Sequence, residues 1–208
     1  MSLEIEHNFF DFDLDSVRKI LKSLDASRKI YFFKVYRYVD KERGLRIRLR
    51  DEDHRKTFTI KKRMKKNDKY ETEYEINISD IEMAKKMLEL LGIKFEKKHY
   101  YEKIREAYYY KKSEIAIDYY PGTHNMLQIE SPTEKEMLSI AKQLKLSIKE
   151  KPKNLIEFYG INVEKFNKIL PPTFAKMKQI QKLVTKNRRE YNKLIKTQMN
   201  VLKDVKNK

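Results

Sequence analysis

From residue 2 to residue 130 the chain alternates apolar and polar positions in one short run after another, a two-residue period that predicts half-buried strands. The opening run, Ser2-Leu3-Glu4-Ile5-Glu6-His7, puts Glu4 and Glu6 on one side and Leu3 and Ile5 on the other. Residues 29–39, dense in aromatic and β-branched side chains, read as a second strand whose rings are packing elements before they are stacking platforms. Gly44 to Arg50 mirrors the opening with the opposite charge: Leu45, Ile47 and Leu49 take one face, Arg46, Arg48 and Arg50 the other. In Thr57 to Arg63, Phe58 and Ile60 oppose Thr57, Thr59, Lys61 and Arg63, and in Tyr70 to Ile78, Glu71, Glu73 and Glu75 oppose Tyr70, Tyr74 and Ile76. Lys103 and Arg105 share a face of Lys98 to Tyr110. Ser113 to Tyr120 sets Glu114, Ala116 and Asp118 against Ile115, Ile117 and Tyr119, and His124 to Glu130 sets Gln128 and Glu130 against Leu127 and Ile129. Asp51-Glu52-Asp53, Lys65 to Asp68 and Pro121-Gly122 supply turns.

Helical spacing interrupts this meander. Val17, Ile20, Leu21 and Leu24 follow a cluster of aspartates suited to a helix N-terminus, and Ile81, Ala84, Leu88 and Leu91 form a stripe between a Ser79 or Asp80 cap and Gly92. A third helix over Ser131 to Leu146 buries Met137, Ile140, Ala141 and Leu144, and Leu155 to Gly160 makes a turn or two of helix. Beyond Pro171-Pro172, Met177, Ile180, Val184, Tyr191, Leu194, Val201 and Val205 recur mostly at three- and four-residue steps, with Asn187 and Gln198 interrupting. The expected organisation is a strand-rich domain over 1–150, a helical connector packed on it over 151–170, and a basic amphipathic C-terminal helix over 171–208.

Eight mostly antiparallel strands with a few helices place the chain in the α+β class. What separates it from an ordinary half-solvated sheet is segregation of sign, because some strands offer only carboxylates on the polar face and others only Arg and Lys. A closed eight-stranded β-barrel with its polar faces inward gathers both sets around one lumen, its aliphatic faces covered by helices. Such a lumen binds a metal cation at its acidic end and a polyanion along its basic wall.

The formal charge of +17 over 208 residues also points to a polyanionic partner. Residues 171–208 hold eleven Lys and Arg against Glu190 and Asp204, so about half of the excess belongs to the last segment. That segment reads as a helix that covers the barrel or pairs with a second copy in a homodimer, or as an arm holding RNA near the lumen. There is no Cys, hence no thiolate metal site or disulfide framework. No signal peptide and no apolar run of membrane-spanning length is visible, so the expectation is a cytoplasmic protein with no membrane partner. The four His show no metal-ligand spacing, although His124 and His99 are placed to project into the lumen. A P-loop, a dinucleotide fingerprint and a Ser-His-Asp arrangement are all missing.

In its order of motifs the chain resembles the CYTH family, the triphosphate tunnel proteins that include class IV adenylate cyclases and thiamine or inorganic triphosphatases. The resemblance runs from Leu3-Glu4-Ile5-Glu6 through Leu45-Arg46-Ile47-Arg48, the Lys61 strand, Glu73-x-Glu75 and the helix ending Leu90-Leu91-Gly92. Lys103-Ile104-Arg105, Ile117-Asp118 and Leu127-Gln128-Ile129-Glu130 complete it. It implies a triphosphate-containing small molecule bound with Mg2+ or Mn2+. Glu4, Glu6 and Glu130 are the implied catalytic metal ligands, with Gln128 beside them; Arg46, Arg48, Lys61, Arg63, Lys103 and Arg105 hold phosphates; Glu73, Glu75 and Asp118 complete the tunnel lining. Two positions depart from the family pattern: Asn8 stands where a Lys is usual, and Gln128 where a Glu is usual. The implied activity is metal-dependent triphosphate hydrolysis. An RNA 5′-triphosphatase, a class IV-type adenylate cyclase and a non-catalytic polyphosphate- or RNA-binding module are the alternatives.

Overall fold

A computed structural model describes residues 5–10, 12–52, 54–63, 71–148 and 154–207. Eight antiparallel strands form one curled sheet in the order β1-β8-β7-β6-β2-β3-β4-β5. They are β1 (Ile5–Phe9), β2 (Ser27–Asp40), β3 (Leu45–Asp51), β4 (Lys56–Arg63), β5 (Glu71–Asn77), β6 (Tyr100–Tyr110), β7 (Ser113–Tyr119) and β8 (Asn125–Ser131). Hairpins account for most neighbours, with two exceptions: β1 pairs with β8, and β6 returns to pair with β2 over ten registers from Ser27↔Tyr109 to Tyr36↔Tyr100.

Register fixes which residues share a face. Glu6↔Glu130, Arg46↔Lys61, Lys61↔Glu73 and Arg105↔Asp118 are partners, so the charged residues singled out by alternation lie together on the inner face. The outer face carries Ile104, Ile115, Ile117, Leu127 and Ile129, all fully buried.

Helices cover that outer face unevenly. Helix α1 (Leu14–Ser23) is capped by Asp13, whose carboxylate accepts from Ser16 N, and buries Val17 and Leu21. Helix α3 (Glu134–Gln143) starts at the Thr133 cap and buries Met137, Ile140 and Ala141. Both pack into the larger core over β6–β7–β8. The smaller core, over β3 and β4, is covered by α2 (Ile81–Leu90) through Ile81, Leu88 and Ala84. Leu91, expected in that stripe, is instead 73% exposed, because it is the C-cap residue and the chain turns away at Gly92. Tyr74 and Ile76 on the outer face of β5 are likewise exposed, since β5 ends the sheet beyond the reach of α2.

One outer-face cluster is polar. Glu106, 1% exposed, accepts from Arg18 Nη2 (2.6 Å), Arg28 Nε (2.6 Å), Tyr108 Oη (2.6 Å) and Tyr119 Oη (2.7 Å). Burial pushes its carboxyl up, but the bonds from Arg18 and both tyrosines outweigh this and hold it below the usual range. The cluster ties α1 to β6, β7 and β2.

After the short helices α4 (Leu155–Phe158) and α5 (Val163–Asn167), the expected continuous terminal helix is two, α6 (Met177–Lys182) and α7 (Arg188–Lys206). Asn187 sits between them at φ +49°, a left-handed conformation that ends one axis and starts another. Met177, Ile180, Val184, Tyr191, Ile195 and Val201 all enter the larger core. Gln198, which interrupts the apolar repeat, is 0% exposed: it accepts from Gly122 N (2.8 Å) and donates to Tyr120 O (2.9 Å) and Asn125 Oδ1 (3.0 Å). Tyr191 Oη donates to Gly122 O (2.6 Å), so α7 is fastened to the β7–β8 turn at both backbone groups of one residue. Lys178, Lys182, Lys186, Arg188, Arg189 and Lys193 remain exposed. No helix among the described residues is long and apolar enough to cross a membrane.

Candidate functional site

Alternation predicts an inner face that is acidic on some strands and basic on others, and the register assembles it. Across β1, β8 and β7, Glu6 faces Glu130 and Glu130 faces Glu114, which makes one row of carboxylates. The next inner positions are Asn8, Gln128 and Ala116, again facing one another. Further along β7 stands Asp118, 0% exposed, with Lys103 Nζ at 2.7 Å and Arg105 Nε and Nη2 at 2.8 and 2.9 Å. Arg105 also donates to Glu114 Oε1 (3.0 Å) and Gln128 Oε1 (2.8 Å), so one guanidinium spans three strands.

The cations crowd. Arg50, Lys103 and Arg105 approach the ring of Phe33 on β2 at 5.5, 5.1 and 6.0 Å from its centroid, and the negative face of that ring partly offsets their mutual repulsion. Burial lowers the Lys103 pKa to about 8, an effect that Asp118 opposes and Arg105 and Arg50 reinforce. Asp118 shows the converse: burial raises its carboxyl, yet Lys103 and Arg105 bring it down to about 2. Burial and Arg48 likewise lower Arg50.

On the other half of the sheet, Arg48 Nη2 makes long contacts of 3.3 Å each to Thr59 Oγ1, Glu73 Oε1 and Glu75 Oε2. Its Nε is buried with no hydrogen bond among the described residues, as is Thr57 Oγ1 on the same face. Lys61 Nζ meets Glu73 at 2.5 Å. Glu75 is pushed up by burial, but the bond from Thr59 and the nearby Arg50 and Arg48 hold it below the usual carboxylate range.

Of the residues proposed from sequence, Glu6, Glu130, Gln128, Arg46, Arg48, Lys61, Lys103, Arg105, Glu73, Glu75 and Asp118 share this inner face. Glu4 lies outside the described residues, and Arg63 is placed through its backbone, paired with Glu71. The Gln128 carbonyl oxygen, implied as a metal donor, is engaged by Arg105. His99 does not reach the inner face: it packs edge-on against Tyr38 and Phe95, and its Nδ1 accepts from Glu96 N.

The sequence reading did not assign Arg50, Glu52, Glu114 or Phe33 to the site. Arg50 and Glu114 continue alternations that were noted, so a signal existed. Glu52, a turn residue by sequence, is buried and grips Arg50 and Arg55. Phe33 gave no signal, because the rings of β2 point to both faces.

For a divalent cation, the donor chemistry of the facing Glu6 and Glu130 fits, being hard carboxylate oxygens of the kind Mg2+ and Mn2+ prefer, while Glu114 of the same row is held by Arg105. Among the described residues no three acidic or His side chains close to metal-binding distance.

Comparison with known proteins agrees with this architecture. The CYTH domain model matches residues 4–159. The PH1012 protein of Pyrococcus horikoshii superposes with a TM-score of 0.61 at 22% identity, covering 74% of this chain and 98% of that one. A putative adenylate cyclase from Vibrio parahaemolyticus gives 0.58 at 17% identity, covering 74% and 95%. A putative adenylate cyclase from Bacillus halodurans gives 0.52 at 17% identity, covering 76% and 100%. No curated protein matches the chain significantly.

Proposed function

The chain belongs to the CYTH domain family, and from that premise we propose that it is a divalent-metal-dependent hydrolase whose triphosphate substrate lies on the inner face of the curled sheet. The observation that carries this reading is the crowding of Arg50, Lys103 and Arg105 on one phenyl ring, beside an Arg48 Nε that is buried without a hydrogen bond among the described residues. Like charges held this close, with donors left over, suit an anion of several charges.

In this mechanism Arg48, Arg50, Lys103 and Arg105 bind the phosphate oxygens and fix the chain of phosphorus atoms along the face. Lys61, held by Glu73, extends that row toward the edge strand. Glu6 and Glu130, with Glu4, would hold the Mg2+ or Mn2+, which when bound neutralises charge at the phosphoryl group under attack. Water attacks the terminal phosphorus, the bond to the bridging oxygen breaks, and the products are orthophosphate, the shortened phosphate and a proton.

The two departures from the family pattern fall on facing positions. Asn8 and Gln128 are partners across β1 and β8. Where the family would set a Lys against a Glu, this chain sets two neutral amides, so one positive and one negative charge go together and the balance of the face is kept.

Phosphate release from tripolyphosphate, ATP and thiamine triphosphate with Mg2+ or Mn2+ tests the reading. Arg48→Ala and Arg105→Ala should each lower turnover by about 10²–10³-fold, the typical cost of removing one donor to a developing oxyanion. Binding without release of any product would leave a polyphosphate-binding module, and a cyclic nucleotide with diphosphate would make it a cyclase.

A further inference from the structure

Beyond the phosphate row, the inner face ends in aromatic rings. On β7 and the turn after it the inner positions run Glu114, Ala116, Asp118, Tyr120, and toward the start of β8 they run Glu130, Gln128, Met126, His124. Both runs pass from carboxylate to ring. His124 stacks on Tyr120 with centroids 4.6 Å apart and planes 22° from parallel, Tyr101 stands 6.0 Å beyond Tyr120, and Phe10 stands 6.3 Å from His124 on the other side. Tyr101 on β6, Phe10 just past β1, and Tyr120 and His124 at the two ends of the β7–β8 turn thus bring four rings to a single rim. It is continuous with the basic row: the Tyr101 hydroxyl feels Arg37, Arg48 and Arg50, and that of Tyr120 feels Asp118 and Arg105.

Tyr101, Tyr120 and His124 form one wall of a cavity of about 440 Å³, and Leu155, Phe166 and Pro172 form another. That volume lies within the range of about 300–1,000 Å³ usual for small-molecule clefts. Phe166 and Pro172 come from residues beyond 159, where the family match ends, so the segment after the matched region supplies part of this lining. Two of the polar groups there are engaged: Glu102 accepts from Tyr100 Oη and Phe174 N, and Asn154 Oδ1 accepts from Glu157 N. Burial lowers the pKa of His124, which keeps its ring neutral at pH 7.

We propose that this aromatic cavity takes the planar heteroaromatic head group of an organic triphosphate whose phosphates lie on the adjoining basic row. The inference rests on the triphosphate reading above and adds a substrate class, organic rather than inorganic triphosphate. Ring faces supply most of the contact, and stacking is tolerant of base identity, so the site distinguishes an organic from an inorganic triphosphate more sharply than one base from another.

The test is equilibrium binding to the full chain of etheno-ATP, whose fluorescence is unobscured because the protein has no Trp, in competition with ATP, GTP and tripolyphosphate. ATP and GTP should compete within a few-fold of each other. The readout for Tyr120→Leu is the ratio of the ATP and tripolyphosphate dissociation constants, which should shift by about tenfold or more against ATP, the size expected for one lost stacking face. Tyr120→Phe, which keeps the ring, should restore the wild-type ratio and controls for folding. An equal loss for both ligands, or no change in the ratio, overturns the aromatic subsite while leaving the triphosphate reading intact. Failure of the wild-type protein to bind either ligand overturns both.

Discussion

Replacing Asp118 by Asn keeps the volume of a fully buried side chain and removes its charge. In the native structure that carboxylate receives hydrogen bonds from Lys103 Nζ and from Arg105 Nε and Nη2. Breaking a buried ion pair from one side costs about 3–5 kcal/mol, because the partner is left charged and uncompensated. Two features hold the cost near the lower end. Arg105 keeps Glu114 and Gln128, and Lys103, with a pKa already brought down to about 8, can shed its proton at pH 7 for about 1.4 kcal/mol or less. A loss of about 3 kcal/mol in a chain of this length lowers Tm by about 6–12 °C. Tripolyphosphate should then raise the Tm of Asp118→Asn more than that of the wild type, since it returns negative charge to the cluster. Differential scanning fluorimetry at pH 7 with and without tripolyphosphate measures both. A ligand-free variant melting within about 2 °C of the wild type would refute the charge balance assigned here, and equal ligand shifts in both proteins would refute phosphate contact with Lys103 and Arg105.

The native Lys103 pKa of about 8 lies below its ordinary value of 10.5, so between these two the unfolded chain binds more protons and unfolding free energy rises with pH. Over the same window tripolyphosphate affinity should fall as pH rises above about 8, with proton uptake on binding seen by calorimetry in buffers of different ionisation enthalpy; Lys103→Arg should abolish both the fall and the uptake. Asp118 acts at the acid end: its contribution is full above the ordinary value of 3.8 and is lost as pH falls through about 2, a dependence that acid titration of Asp118→Asn should lack. Glu106→Gln, on the outer face, should cost about 3–5 kcal/mol in denaturant unfolding while leaving tripolyphosphate affinity at low temperature unchanged. Gln198→Ala leaves the Gly122 N–H unmatched and should cost about 1–3 kcal/mol.

Alternation made the inner face legible in the sequence. Arg46-x-Arg48, Lys103-x-Arg105 and Glu6 each carry their orientation in a two-residue period, and antiparallel register then brings them together without further information. Order along the sheet was less visible, because the pairing of β6 with β2 joins segments about seventy residues apart. Phe33 could not be read, since β2 carries rings on both faces and a phenyl under three cations has the same letter as one in a core. The terminal segment offered two readings, a covering helix or a polyanion arm, and a basic amphipathic pattern is compatible with either. Gln198 settles its packing: a polar residue at an apolar position looks like a flaw in the repeat until the backbone of Gly122 is seen to be its partner.

The fastening of α7 onto the β7–β8 turn has a consequence for how such molecules diversify. Tyr191 and Gln198 hold, from some seventy positions downstream, the loop that carries Tyr120 and His124. A lineage could therefore retune its doorway by editing a buttress near the chain end while the anion-gripping strands stay as they are. Kin with the same sheet but a different buttress would share an electrostatic floor and differ in what they admit.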